Sequence, residues 1–325
     1  MRYEVVPMTL PLERPFSITG HTFINLEAVV VTLTRDGHVG RGEGDGVYYL
    51  GESQESMLSR LESVRRQVEA GISRAELQDL LPAGGARNAL DCALWDLEAK
   101  SSGQRIWNLL GIQPKTLTTV ATVGMGTPEE MAARALEFAR YPNLKIKLYN
   151  NEPIRRLEAI RAARPDATLV IDVNQGWEYQ NLIDYLPDLE RLQVAMIEQP
   201  LRRAGDERLV ELECSIPIGA DESCLTLEEY HQVKNRYQVI NIKLDKTGGL
   251  TEALRIVEAA RTDGKQLMVG NMTGSSLSMA PAYVIGQFCS FVDIDGPLLL
   301  DSDIEHGLQY LDAGVVGLPA DQLWG

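Results

Sequence analysis

The sequence predicts an α/β fold in which a parallel β/α barrel follows a smaller α+β unit. Three observations predict it. At 325 residues the chain is too long for one small module and fits a large barrel plus a second domain. From about residue 116, short apolar runs alternate strictly with amphipathic helical stretches, and eight such β-then-α units suggest a closed (β/α)8 barrel. An open doubly wound sheet is the competing architecture, and its mark would be GxGxxG after an early strand. The run Gly40-Arg41-Gly42-Glu43-Gly44 neither completes that pattern nor leads directly into a helix. It reads instead as a hairpin end where backbones approach closely.

Residues 1–112 make the α+β unit. Strand-like runs cover 2–12, 25–34 and 38–44, and Arg35-Asp36-Gly37 joins the last two as a hairpin. Two helical stretches follow. In the second, Ala89, Leu90, Ala93, Leu94 and Leu97 share one face, and Gly103 marks its end. The barrel occupies 113–297, with strands at 118–124, 144–148, 168–174, 194–198, 217–221, 239–244, 266–270 and 291–295. Helical patterns such as 128–140, 152–163 and 250–261 separate them. Residues 298–325 return to pack on the N-terminal unit.

Composition narrows the function. Hydrophobic residues are 44% and charged residues 24%, a globular balance. A net charge of -15 repels phosphate backbones and anionic membranes, which argues against a nucleic-acid or membrane partner. No apolar run approaches the roughly 18 residues of a membrane helix, and the N-terminus lacks the pattern of a secretory signal. Cys92, Cys214, Cys224 and Cys289 form no CxxC pair, so unpaired thiols in a reducing cytoplasm are the simplest reading.

The strand ends carry the chemistry. Buried barrel strands should be plainly apolar, yet these finish in charges, at the end of the barrel where catalytic groups gather. Asp172, Glu198 and Asp221 fall at successive strand ends, about one β/α unit apart. Three adjacent carboxylates need a cation to stay ionised together, and an all-oxygen set without His or Cys suits Mg2+ rather than zinc. The alternative is that one of them belongs to a structural salt bridge. Lys145 and Lys147, one residue apart on a strand, point the same way. Lys243 lies four strands further round and faces them across the mouth. A lysine acts as a base when its pKa falls toward roughly 7–8, and a divalent ion with a second lysine would push Lys147 that way. Bases on opposite faces of a substrate can remove a proton from one side and return it on the other, which inverts a stereocentre. The alternative is that the lysines only neutralise the carboxylates. Asp293 and Asp295, also alternate residues, are either further metal ligands or, with three ligands already present, the partners of a substrate ammonium.

These motifs resemble the enolase superfamily, in its muconate-lactonizing enzyme subgroup and nearest to dipeptide epimerases of the L-Ala-D/L-Glu type. The resemblance rests on Lys145-Ile146-Lys147, Ile171-Asp172-Val173-Asn174, Glu198-Gln199-Pro200, Asp221-Glu222-Ser223, the run from Ile242 to Gly249, and Asp293-Ile294-Asp295-Gly296-Pro297. It implies an N-terminal α+β capping domain over a modified (β/α)7β barrel of TIM type. It implies one Mg2+ per subunit on Asp172, Glu198 and Asp221, and a cytoplasmic enzyme whose partner is a small-molecule dipeptide, with homo-oligomerisation left open. Lys147 and Lys243 would be the two acid/base catalysts of a 1,1-proton transfer at the C-terminal residue. Lys145 would support the ene-diolate intermediate and contact substrate, and Asp293 and Asp295 would hold the α-ammonium.

One departure bears on the substrate. The Ala-Glu enzymes offer arginines in a loop near the N-terminus, whereas residues 16–25 here hold none, and neither Lys nor Arg occurs between Arg14 and Arg35. Phe23 and Ile24 suggest an apolar side chain in the substrate, the acidic net charge also admits a cationic one, and His21 is a weak substitute for an arginine. The rivals on the same scaffold are o-succinylbenzoate synthase, N-acylamino-acid racemase and muconate cycloisomerase, none of which needs two carboxylates at the eighth strand. A metal-dependent barrel hydrolase would need a metal-bound water and usually histidine ligands. A non-enzymatic binding protein on this scaffold would not need the lysines.

Overall fold

A computed structural model describes residues 1–18 and 21–325, the side chains of Ile18 and His21 excepted. The chain opens with an antiparallel sheet of β1 (Arg2–Ile18), β2 (His21–Arg35) and β3 (His38–Asp45), in that order. The β2–β3 turn sits where Asp36 and Gly37 adopt positive φ of 51° and 82°, the twist a tight hairpin favours. β1 and β2 run longer than their apolar cores suggest. After a register shift between Pro11 and Phe16 they continue as a two-stranded ribbon pairing Phe16 with Phe23. Helices α1 (Gln54–Ser63), α2 (Arg65–Gly71), α3 (Arg74–Leu80), α4 (Gly85–Ser102) and α5 (Ile106–Leu110) follow, where the apolar pattern suggests two stretches. Ser53 and Ser73 cap α1 and α3 in reciprocal boxes, and Gly103 ends α4 at φ 66°.

The alternating glycines of β3 have a packing reason. A Cβ on Gly42 would stand 2.1 Å from the carbonyl oxygen of Ala89, and one on Gly44 would stand 2.0 Å from that of Gly85. α4 therefore lies directly on β3, the close approach read from that run. The residues between the glycines, Glu43 and Asp45, face away from α4 toward the barrel.

The barrel sheet is wholly parallel. It runs in order from β5 (Ala121–Val123) through β6 (Asn143–Lys147), β7 (Thr168–Asp172), β8 (Val194–Glu198), β9 (Ile218–Ala220), β10 (Val239–Lys243) and β11 (Gln266–Gly270) to β12 (Phe291–Val292). The short β4 (Leu117–Thr118) precedes it and pairs with β13 (Val315–Val316). Val120 N donates to Val292 O at 2.9 Å, joining the last strand to the lead-in of the first. Strands alternate with α6 (Pro128–Glu137), α7 (Pro153–Ala163), α8 (Tyr179–Arg191), a 3-10 turn at Glu207–Glu211, α9 (Leu227–Val233), α10 (Leu244–Thr247) with α11 (Leu250–Thr262), and α12 (Ser276–Gly286). β12 passes into a 3-10 turn rather than an eighth helix, so the barrel is (β/α)7β. Val170, Met196, Val239 and Met268 plug its interior, and the outer core lies between strands and helices. No helix among the described residues is long and apolar enough to cross a membrane.

The seam between the N-terminal unit and the barrel is made of buried carboxyl groups. Glu43 accepts from the backbone N–H and hydroxyl of Ser275, and Asp45 from the Thr273 hydroxyl at 2.6 Å. Asp245, just past β10, accepts from Asp45 N at 2.9 Å and Asn88 Nδ2 at 2.7 Å. Arg87 donates to Thr247 O at 2.7 Å and Gly248 O at 3.1 Å. The last residues also reach back: Trp324 Nε1 donates to Cys92 O at 3.0 Å, and Gly325 N to Asp96 at 2.7 Å.

Candidate active site

Parallel strands deliver alternate residues to the same face, and their carboxyl ends meet at one mouth. In register, Lys147 lies beside Asp172, and Asp172 beside Glu198. Asp221 follows β9, and Lys243 ends β10. The five residues therefore form an arc over neighbouring strands, with a lysine at each end and the carboxylates between. Asn174, Gln175 and Gln199 take positive φ of 45°, 65° and 35° just past β7 and β8, bending the chain away from the mouth. Gln199 Oε1 accepts from Asp221 N at 2.8 Å and Ser223 N at 3.0 Å, fixing the start of the next loop.

Asp172, Glu198 and Asp221 are fully buried, and one oxygen of each lies within 4.8 Å of the others. Lys147 Nζ donates to Asp172 Oδ2 at 2.7 Å, and Lys243 Nζ to Asp221 Oδ2 at 2.7 Å. Lys145 sits between, 2.9 Å from Glu198 Oε2 and 3.1 Å from Asp172 Oδ2. Oε2 of Glu198 is close to that ammonium yet receives no directed hydrogen bond. A hard oxygen set, convergent and buried, with a carboxylate oxygen left unsatisfied, fits a divalent cation such as Mg2+.

The electrostatics divide the arc. Burial opposes ionisation of Asp172, but Lys147, Lys145 and Lys243 outweigh it and hold the group well below the ordinary carboxylate range. Asp221 is held down likewise, by Lys243, Lys246 and Lys145. Glu198 is pushed up to about 7 by burial and by the Asp172 charge. Burial favours the neutral amine of Lys243, but the charge of Asp221 prevails and raises its pKa. Lys145 is raised for the same reason, chiefly by Asp293. Lys145 and Lys243 are both shifted upward because each ammonium rests against an anion at contact distance.

Asp293 and Asp295 form an unequal pair. Asp293 Oδ2 accepts from Lys145 at 2.9 Å, and its Oδ1 from Asn271 Nδ2 at 3.0 Å. Asp295 accepts from Thr122 N at 2.7 Å and is pushed up to about 8 by burial and the Asp293 charge. Burial opposes ionisation of Asp293, but Lys145 and the hydrogen bond from Asp295 outweigh it and lower the group, so the two carboxyls are shifted in opposite directions.

Lys147 and Lys243 line a common cavity of about 30 Å3, closed by Phe16, Phe23, Tyr48, Tyr49, Asn174, Asp221, Glu222, Asn271 and Met272. Phe23 is on the wall. Ile24 is not: adjacent strand residues face opposite ways, and Ile24 is 64% exposed beside Asp45 and Thr273. His21 lies outside the described side chains. Sequence reasoning passed over Asn241 and Lys246. Asn241 Nδ2 donates to Glu198 Oε1 at 2.7 Å, and Lys246 donates to the Asp221 carboxylate and, at 2.6 Å, to its backbone oxygen. Alternation in β10 puts Asn241 on the face of Lys243, the signal that singled out Lys145 and Lys147. Lys246 follows one turn of α10 later.

Two family models match the chain: the mandelate racemase / muconate lactonizing enzyme N-terminal domain over residues 2–111, and the enolase C-terminal domain-like model over 129–319. The protein belongs to the mandelate racemase / muconate lactonizing enzyme family. Within it, L-Ala-D/L-Glu epimerase of Escherichia coli K12 is 45% identical over 92% of this chain and 94% of its own. An N-acetyl-D-glutamate racemase of Pseudoalteromonas is 41% identical over 77% and 79%. The crystal structure of an enolase family member from Agrobacterium tumefaciens with homology to dipeptide epimerases, holding sodium and L-Ala-L-Glu, superposes with a TM-score of 0.96 at 41% identity, covering 99% of both chains. The first two relatives are an epimerase and a racemase, and this member of the family is an isomerase of the enolase superfamily.

Proposed function

We propose that the protein epimerises the C-terminal residue of a dipeptide by 1,1-proton transfer, with Lys147 and Lys243 as its two acid/base groups. One observation carries this: the two buried lysines end the arc at opposite sides, and both line one cavity. The amine on one flank takes the Cα proton next to the terminal carboxylate and becomes ammonium. The ammonium on the other flank delivers a proton to the same carbon, and the configuration inverts. The intervening ene-diolate carries two negative charges. Lys145, held between Glu198 and Asp293, is the fixed ammonium beside it. Asp172, Glu198 and Asp221 would hold one Mg2+, which when bound supplies the positive charge that acidifies the Cα proton. The carboxyl pair of Asp293 and Asp295 suits the α-ammonium of a dipeptide, a group with no counterpart in an N-acylated amino acid. The same point disfavours o-succinylbenzoate synthesis and muconate cycloisomerisation.

The test is deuterium uptake. L,L-dipeptides incubated with enzyme and Mg2+ in D2O should lose the Cα proton of the C-terminal residue by proton NMR and give a second diastereomer, while their N-acetyl forms react at least about 10-fold more slowly. Absence of exchange from every dipeptide would defeat the reading.

A further inference from the structure

We propose that the residue epimerised carries a bulky uncharged apolar side chain, aliphatic or aromatic, rather than the glutamate named for the relatives. This rests on the dipeptide reading above. Phe16, Phe23, Tyr48, Tyr49 and Met272 line the cavity that holds the two lysines, beside Asn174, Asp221, Glu222 and Asn271. Its rings pack edge to face, Phe23 on Tyr48 at 5.7 Å and Tyr48 on Tyr49 at 5.3 Å. Among the described residues the only cations on it are Lys147 and Lys243, each 2.7 Å from its own carboxylate and each needed for proton transfer.

Among the polar groups of the lining, Glu222 weighs against an anionic side chain. Glu222 is 2% exposed, lines the cavity, and leaves Oε2 without a hydrogen-bond partner. A substrate carboxylate in this space would meet a second acid and no guanidinium. The nearest arginines on the outer side of Phe16 are engaged: Arg14 by Glu137 at 3.2 Å, and Arg134 also by Glu137. The ribbon closing the site has no Lys or Arg between Arg14 and Arg35. An anionic side chain desolvated there would lack a free counter-charge, and a cationic one would face the ammonium that delivers the proton. An apolar one gains contact with the rings at no electrostatic penalty.

The experiment compares L-Ala-L-Phe, L-Ala-L-Leu, L-Ala-L-Glu and L-Ala-L-Lys by Cα deuterium exchange with Mg2+ at pH 8, where a histidine near its usual pKa of about 6.5 is neutral. Phe or Leu should exceed Glu and Lys by about 100-fold or more in kcat/KM. A preference for L-Ala-L-Glu overturns the side-chain assignment and leaves the epimerase intact. A preference for L-Ala-L-Lys overturns it too and gives Glu222 a cation to hold. No exchange from any member defeats the underlying function instead. Phe23→Arg supplies the missing cation and should raise the Glu:Phe ratio at least about 10-fold; an unchanged ratio removes Phe23 from the side-chain site.

Discussion

Asp172 and Asp221 at the barrel mouth, and Glu43, Asp45 and Asp245 at the seam, are buried acids held in opposite ways. At the mouth the partners are ammonium groups at 2.7 Å, and the carboxylates stay ionised far below their ordinary range. At the seam the partners are hydroxyls, an amide and backbone N–H groups. Burial then prevails, pushing Glu43 and Asp45 up to about 7 and Asp245 up to about 8. Depth is common to both, so depth alone does not decide the protonation state; the partner does. Glu198, the third carboxyl of the mouth, is pushed up to about 7 by burial and by the Asp172 charge although Lys145 stands beside it, so a like charge can undo what an ammonium does.

The sharpest way to break this comparison is to remove an amine. Lys147→Ala and Lys243→Ala should each lower epimerisation by about 10^3-fold or more, near the upper range for general acid–base groups. Each variant should also respond differently to the L,L and L,D diastereomers in single-turnover deuterium exchange, because only one flank keeps its amine. Identical residual exchange from both diastereomers in both variants would place the lysines on one flank and end the two-base account.

A second test swaps an acid for its amide in each region. Asp221→Asn leaves Lys243 and Lys246 against a neutral group inside the barrel, and should lower unfolding free energy by about 3–5 kcal/mol in urea titration. Asp245→Asn replaces a largely neutral acid by a neutral amide that can still accept from Asn88 and Asp45 N, and at pH 4, where the unfolded chain also holds much of that proton, should change it by less than about 1 kcal/mol. Equal losses would show that Asp245 is ionised in the fold.

Much of the mouth was legible in the sequence because strand period and barrel topology are local rules. Alternation places Lys145 with Lys147, and one β/α unit separates each carboxylate from the next. The cap was less legible. Phe23 and Ile24 read alike as apolar, but only the ribbon's register puts one on the cavity and the other in solvent. Tyr48 and Tyr49 follow β3 and become wall only where the N-terminal unit closes on the barrel, a contact no local pattern encodes. Glu43 and Asp45 alternate with glycines that announce the packing of α4. Their partners Ser275, Thr273 and Asp245 are about 200 residues or more away.

The smallest expected effect follows from the seam's raised pKa values. Unfolded, its three acids titrate near 4. Folded, they hold their protons to about 7 or 8. Between pH 5 and 8 the native state binds protons that the unfolded state has released, so unfolding free energy falls as pH rises through this window and levels off above it. The lowered Asp172 and Asp221 act with the opposite sign, but only at and below pH 4, and so do not cancel the slope. Asp245 faces Asp45 and, further off, Glu52, both acids, which reinforce its protonation. Glu43 in turn faces Asp245 and Asp303. Asp245→Asn should therefore flatten the stability–pH slope between 5 and 8 by up to about 1.4 kcal/mol per pH unit, one proton's worth, measured by urea denaturation at fixed ionic strength. Asn cannot release a proton, so an unaltered slope would mean that Asp245 is already ionised in the fold, and that the seam, like the mouth, holds charge.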